Sequence, residues 1–189
     1  MLNLQGDVRE HVAALADVGV ASRLIKRVDQ LDGIAGLVIP GGESTTLSML
    51  LSSTGLFEAV ADKIADGLPV FGTCAGLVLL AGEVLDGRPD QRSFGALSAV
   101  VRRNGYGRQG QSFEGEVPFG EGPPLPVVFI RAPMVVSVGP EVDVLSSLDH
   151  LGTTAPVLVR QGNVLASSFH PELTNDRRVH RLFAQLCSL

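Results

Sequence analysis

The chain has no tryptophan, a single tyrosine and only two cysteines, Cys74 and Cys187, in 189 residues. A secreted disulfide scaffold uses more cysteines, and neither sits in a CxxC pair, so a reducing compartment, the cytoplasm, is expected. Long apolar runs are missing too: nothing approaches the ~18 consecutive residues a membrane helix requires. The N-terminus lacks the charged, apolar and small-residue succession of a signal peptide. Basic clusters and interleaved aromatics are absent, and the formal charge is −5. That balance argues against nucleic acid as a partner, because phosphate binding relies on clustered Lys and Arg. No group of His, Cys, Asp and Glu has metal-ligand spacing, so neither metal nor cofactor is expected.

What is present is glycine, 22 of them, and a composition that is 45% hydrophobic. A chain of this length makes one domain, residues 1–189, burying roughly 70% of its extended-chain surface. Asp7 to Asp17 reads as a helix with Val8, Val12 and Leu15 on one face and Asp7 as a candidate cap. Val20 to Ile25 reads as a short strand. Gly36 to Ile39 and Pro69 to Thr73 are unbroken apolar runs, as buried parallel strands require. Helices are expected over Ser44 to Leu51 and Leu56 to Ile64, and Ala75 to Leu80 begins another, so strand and helix alternate. The second half gives strands over Leu97–Arg102, Ser112–Val117, Val127–Ile130, Val135–Val138, Pro156–Val159 and Val164–Ser168. These are separated by turns rather than helices, with 120–124 as a loop. Asn175 to Leu186 closes the chain as a helix, with Val179, Leu182, Phe183 and Leu186 on one face. The expected fold is α/β, a three-layer arrangement. A mostly parallel central sheet carries helices on both faces and is extended by antiparallel strands.

Three segments carry chemistry. Gly72-Thr73-Cys74-Ala75-Gly76 is a G-x-C-x-G elbow between strand and helix, the cysteine form of a turn that presents a nucleophile in a strained backbone conformation. Ser168-Phe169-His170-Pro171-Glu172 follows an apolar run, and its spacing lets Glu172 reach one ring nitrogen of His170 while the other faces a thiol. Pro40-Gly41-Gly42-Glu43-Ser44 lies between a strand and a helix, where backbone N–H groups can bind an oxyanion. The same segment would also serve as an ordinary turn with Ser44 as N-cap. It lacks the lysine and spacing of a phosphate-binding loop.

In this order the three motifs resemble the class I glutamine amidotransferases, whose fold is flavodoxin-like. Further segments narrow the resemblance: Leu4-Gln5-Gly6-Asp7-Val8-Arg9-Glu10-His11, Glu43-Ser44-Thr45-Thr46, Arg103-Asn104-Gly105-Tyr106-Gly107-Arg108-Gln109, Phe129-Ile130-Arg131-Ala132-Pro133 and His170-Pro171-Glu172-Leu173-Thr174. Together they look like the glutaminase subunits of pyridoxal 5′-phosphate synthase, nearly end to end. The resemblance implies that Cys74, His170 and Glu172 hydrolyse L-glutamine through a glutamyl thioester. Backbone N–H groups of Gly42 and Ala75 would form the oxyanion hole, and Gly42, Glu43, Ser44, Arg103, Ile130 and Arg131 would bind substrate. It also implies a partner, the lyase subunit of the synthase, in a large hetero-oligomer that receives the ammonia, with Gln5, Gly6 and Arg9 as docking candidates. Such families open with several more apolar residues before Leu4, so the first strand is expected to be very short here or cut off by the start of the sequence. Arg102 and Arg108 are read as solvated surface charges, His11 as a weaker interface candidate, and His150 and His180 as surface or helix-packing residues. A glutaminase serving another amidotransferase and a non-catalytic regulatory subunit are the alternative readings.

Overall fold

In the computed structural model, which describes residues 1–106, 112–150 and 152–188, strand and helix alternate first and antiparallel strands follow. From the N-terminus the elements run α1 (Val8–Asp17), β1 (Leu37–Ile39), α2 (Ser44–Ser53), α3 (Leu56–Ala65), β2 (Val70–Thr73), α4 (Ala75–Leu80), β3 (Ala81–Leu85), β4 (Leu97–Arg102), β5 (Ser112–Val117), β6 (Leu125–Ile130), β7 (Met134–Val138), β8 (Asp143–His150), β9 (Thr153–Gln161), β10 (Val164–Ser167) and α5 (Arg178–Leu186). Short 3-10 turns occupy Val28–Leu31 and Pro171–Leu173.

The main sheet has the order β1-β2-β10-β9-β8. β1, β2 and β10 run parallel, whereas β9 and β8 add on antiparallel. Every residue of β1, β2 and β10 is buried, which explains why their sequences are continuous apolar runs rather than alternating ones. Successive side chains point to opposite faces. Leu37, Ile39, Val70 and Ala166 therefore join Leu47, Leu51, Leu56, Val60 and Leu77 of α2, α3 and α4 in one core. Val38, Phe71 and Leu165 join Val8, Leu15, Val179, Phe183 and Leu186 of α1 and α5 in the other. Two smaller sheets, β3-β4-β7 and β5-β6, complete the described strands. No helix among the described residues is long and apolar enough to cross a membrane.

The register sets the site. Ile39 lies beside Gly72, and Ser167 beside Thr73. The parallel strands therefore end level with one another, and the segments after them (Pro40-Gly41-Gly42, Cys74 and Ser168-Phe169-His170) emerge on one rim. Open α/β sheets bind ligands at this carboxyl edge.

Several expectations need correction. Val20 to Ile25 is not a strand; a single parallel bridge, Leu2 with Ile25, is all that forms there. The first strand is correspondingly short, held by the Leu2 N–H donating to Val38 O at 2.9 Å and the Ile25 N–H donating to Met1 O at 2.9 Å. The helix expected over Ala75 to Leu80 spans those residues, but it goes no further and passes straight into β3. β8 carries no strand signature in the sequence, because it is an edge strand with two register shifts and no clean alternation. α5 begins at Arg178 rather than Asn175, since Asp176 Oδ1 takes the Arg178 N–H at 2.9 Å in a turn ahead of the helix.

Candidate active site

Cys74 stands between β2 and α4 with φ 50° and ψ −101°. That is a left-handed, strained conformation for a residue with a side chain, of a kind that persists only where its surroundings impose it. Here the Cys74 N–H donates to Ser167 O at 2.8 Å, tying the elbow to β10. The flanking glycines are required by close approach. A methyl group on Gly72 would run into the backbone of Gly76, and one on Gly76 would overlap the carbonyl of Ile39. The thiol is largely buried, and Sγ lies 3.9 Å from Ile130 O.

His170 follows β10, and its N–H donates to Val128 O at 2.9 Å, fixing it against β6. The 3-10 turn at Pro171–Leu173 folds Glu172 back so that its Oε1 lies 2.7 Å from His170 Nδ1. Asp7 Oδ2 approaches the same nitrogen at 3.3 Å. With Nδ1 held by carboxylates, Nε2 is the ring nitrogen available to the Cys74 side chain, which lines the same cavity. Burial alone would lower the pKa of His170, but the hydrogen bonds to Asp7, Cys74 and Glu172 outweigh it and push the value up to about 12. The ring is thus an imidazolium at neutral pH. Burial pushes Glu172 above the usual carboxylate range, and its hydrogen bond to His170 opposes that rise.

Asp7 does not cap α1: its side chain makes no cap hydrogen bond and turns to His170 instead. That hydrogen bond lowers the Asp7 pKa. A tertiary contact has taken the carboxylate from its local role, and no spacing in the sequence could disclose it. Asp7, His170 and Glu172 each place a ligand-type atom within 4.8 Å of the others, a grouping that sequence spacing also concealed.

The loop after β1 meets the N-terminal turn. Gly42 has φ +147°, a conformation open to glycine. Gln5 Oε1 accepts the Glu43 N–H at 3.1 Å, and a methyl on Gly6 would overlap the carbonyl of Gly41. Glu43, not Ser44, caps α2, accepting from the N–H groups of Thr45 at 3.1 Å and Thr46 at 2.7 Å. Its carboxylate also pairs with Arg103 at 2.7 Å.

A cavity of about 410 Å³ opens over this rim. Gly42, Glu43, Ser44, Cys74, Ala75, Arg103, Ile130, Arg131 and His170 all line it, while Glu172 lies buried behind His170. Gln5, Asp7, Val78, Asn104 and Pro133 line it too, although the sequence marked none of them as a wall of the cavity. Arg131 has φ 45° and makes no ion pair among the described residues, whereas Arg103 is already paired.

Arg9 is almost fully exposed at 94% of its side chain. Arg102 is half-exposed and pairs with Asp86 at 3.4 Å. Gly107, Arg108 and Gln109 lie outside the described residues. His150 is half-buried and stacks on Phe113, with centroids 4.4 Å apart. Burial pushes the half-buried Cys187 thiol up to about 11. His11 is not at a surface: it is fully buried, against Glu172 and against His180, itself buried.

A thiol at a strained elbow, an imidazolium oriented by a carboxylate, and a glycine loop at one rim of a parallel sheet define a class: the glutamine amidotransferases. Residues 1–189 match the SNO glutamine amidotransferase family, and the chain belongs to it. Among curated relatives, the "Pyridoxal 5'-phosphate synthase subunit PdxT" of Salinispora arenicola is 55% identical over 98% of this chain and 94% of its own. The protein of the same name from Rhodococcus opacus is 52% identical over 98% and 95%. A crystal structure of a glutamine amidotransferase is 45% identical, covers 100% of this chain and 97% of its own, and superposes with a TM-score of 0.91. PurLQS from Thermotoga maritima, 16% identical with a TM-score of 0.71, shares the fold over 97% of this chain and 95% of its own.

Proposed function

We propose that this chain is the glutaminase subunit of a pyridoxal 5′-phosphate synthase, acting as a single domain in the cytoplasm and using Cys74, His170 and Glu172. The Cys74 thiolate adds to the side-chain carbonyl carbon of L-glutamine. The oxyanion that forms takes backbone N–H groups of Gly42 and Ala75. His170 then gives its Nε2 proton to the amide nitrogen, the C–N bond breaks, and ammonia leaves behind a glutamyl thioester. The ring, now neutral, draws a proton from water, whose oxygen attacks the thioester. Collapse expels the thiolate and releases L-glutamate, restoring the imidazolium. Throughout, Glu172 holds Nδ1 and offsets the ring's charge.

Arg131, without an ion-pair partner among the described residues, suits the substrate α-carboxylate, since a guanidinium binds carboxylates with paired hydrogen bonds. Arg103 braces Glu43, so that the Glu43 and Ser44 side of the cavity is held rigid. The synthase's lyase subunit receives the ammonia before water protonates it. Gln5, Gly6 and Arg9 form the docking surface, and because Gly6 packs on Gly41, docking there bears directly on the oxyanion loop.

The observation that carries this reading is His170, held by Glu172 at 2.7 Å and lining one cavity with Cys74 at the strained elbow. A glutaminase assay with and without the lyase subunit tests it, beside Cys74→Ala. Glutamate release by the unaltered protein and none by the variant is expected. Release that survives Cys74→Ala, or no release by the unaltered protein under either condition, overturns it.

A further inference from the structure

The polar chain continues behind Glu172, on the side away from the cavity. Oε1 is taken by His170, while Oε2 is buried with no hydrogen-bond partner among the described residues. Nε2 of His11 stands 3.3 Å from Oε2. The same nitrogen is 3.0 Å from Thr73 Oγ1, and the other ring nitrogen of His11, Nδ1, is 3.1 Å from Nε2 of His180. His11, Thr73 and His180 come from α1, β2 and α5, and none has any exposed surface. Phe71 meets both imidazoles edge-on, closing the site with an apolar wall.

The hydrogen-bond inventory fixes where the protons sit. Burial drives the pKa of His11 well down and that of His180 to about 4, so each ring is neutral with one N–H. Nδ1 of His180 is buried and has no hydrogen-bond partner among the described residues. A proton there would be an orphaned donor, costlier than a bare lone pair. The His180 proton therefore belongs on Nε2, donated to His11 Nδ1, which places the His11 proton on Nε2. The opposite arrangement would set a nitrogen lone pair against a carboxylate oxygen in an interior of low dielectric.

We infer that His11 is a positioning residue for the triad: its Nε2–H, in a tautomer set by His180 and shared between Thr73 Oγ1 and the nearby second oxygen of Glu172, aims the carboxylate at His170. Since α1 also carries Arg9 and follows directly on Gln5 and Gly6, a partner that shifts this helix reaches Glu172 as well as the oxyanion loop. The kinetic consequence rests on the glutaminase reading; the tautomer does not.

Nitrogen-15 NMR of histidine-labelled unaltered protein reads the tautomer directly. A protonated Nε2 and bare Nδ1 on His11 is the expected result, and the reverse overturns the inference whatever the variants do. Kinetics follow, in complex with the lyase subunit. His11→Phe keeps a ring without a donor, whereas His11→Gln returns an N–H near the Nε2 position. We expect kcat to fall about tenfold or more in His11→Phe with KM within about twofold, and His11→Gln to recover most of the loss. Equal rates in the two variants overturn the positioning role. If His11→Phe does not fold, the inference is decided by the NMR result and by whether His11→Gln retains most of the wild-type kcat. Cys74→Ala separates the two readings: inactivity there, with a wild-type His11→Phe, sinks this inference alone, whereas residual turnover in Cys74→Ala sinks the glutaminase reading and leaves the tautomer to the NMR experiment.

Discussion

Two carboxylates reach Nδ1 of His170, and their surroundings are opposite. Glu172 is buried, 2.7 Å away, with His11 behind it. Asp7 is 3.3 Å away on the cavity side, with 39% of its side chain open to solvent. Water screens the second pair and hardly touches the first. The interior carboxylate, held by its protein neighbours, therefore orients the ring, rather than the one that faces water and shares the cavity with a substrate.

The contrast can be broken at either end. Glu172→Gln keeps the size of the side chain but removes the charge that offsets the imidazolium, so kcat should fall by roughly a hundredfold or more. Steady-state glutaminase rates check it, and wild-type turnover would remove Glu172 from the triad. Arg131→Met, which takes from the cavity a guanidinium with no ion-pair partner among the described residues, should raise KM for glutamine roughly tenfold with a smaller change in kcat. An unchanged KM would move the α-carboxylate elsewhere. Asp7→Asn, at the screened end, should change kcat by less than about fivefold. A loss as deep as that of Glu172→Gln would invert the comparison.

The buried side should also show in stability against pH. Burial holds His180 at about 4 in the folded protein, against an unfolded value of about 6.5. Between these values the unfolded chain binds more protons, so stability is full above about 6.5 and declines as pH falls toward 4. The loss from His180 approaches about 3 kcal/mol and levels off below its folded value. His170 adds no slope in that window, because its raised pKa keeps it protonated in both states below about 6.5. His11, also held neutral by burial, adds slope of the same sign. Urea denaturation across this range should therefore give a slope that His180→Gln lessens but does not abolish; identical slopes would show that His180 is not buried in its neutral form.

How much of this was legible in the sequence follows from locality. β1, β2 and β10 stood out because strands covered on both faces must be apolar throughout, and the elbow stood out because its glycines and Cys74 are neighbours in the chain. His170 and Glu172 were visible as a pair for the same reason. Other features required the fold. Asp7 read as a helix cap until the chain brought it to His170 from 163 positions away. Glu43 and Arg103 pair across 60 residues, and His11 and His180 meet across 169. β8 and β3 lacked a pattern of their own, one as an irregular edge and the other as the unbroken continuation of α4.

The most direct test of the account is to look for the intermediate. Protein mixed with L-glutamine in the presence of the lyase subunit, quenched in acid and digested, should yield a glutamyl adduct on the peptide that carries Cys74. The adduct should be missing from Cys74→Ala. Steady release of glutamate by a Cys74→Ala variant, with no adduct on the unaltered protein, would contradict it.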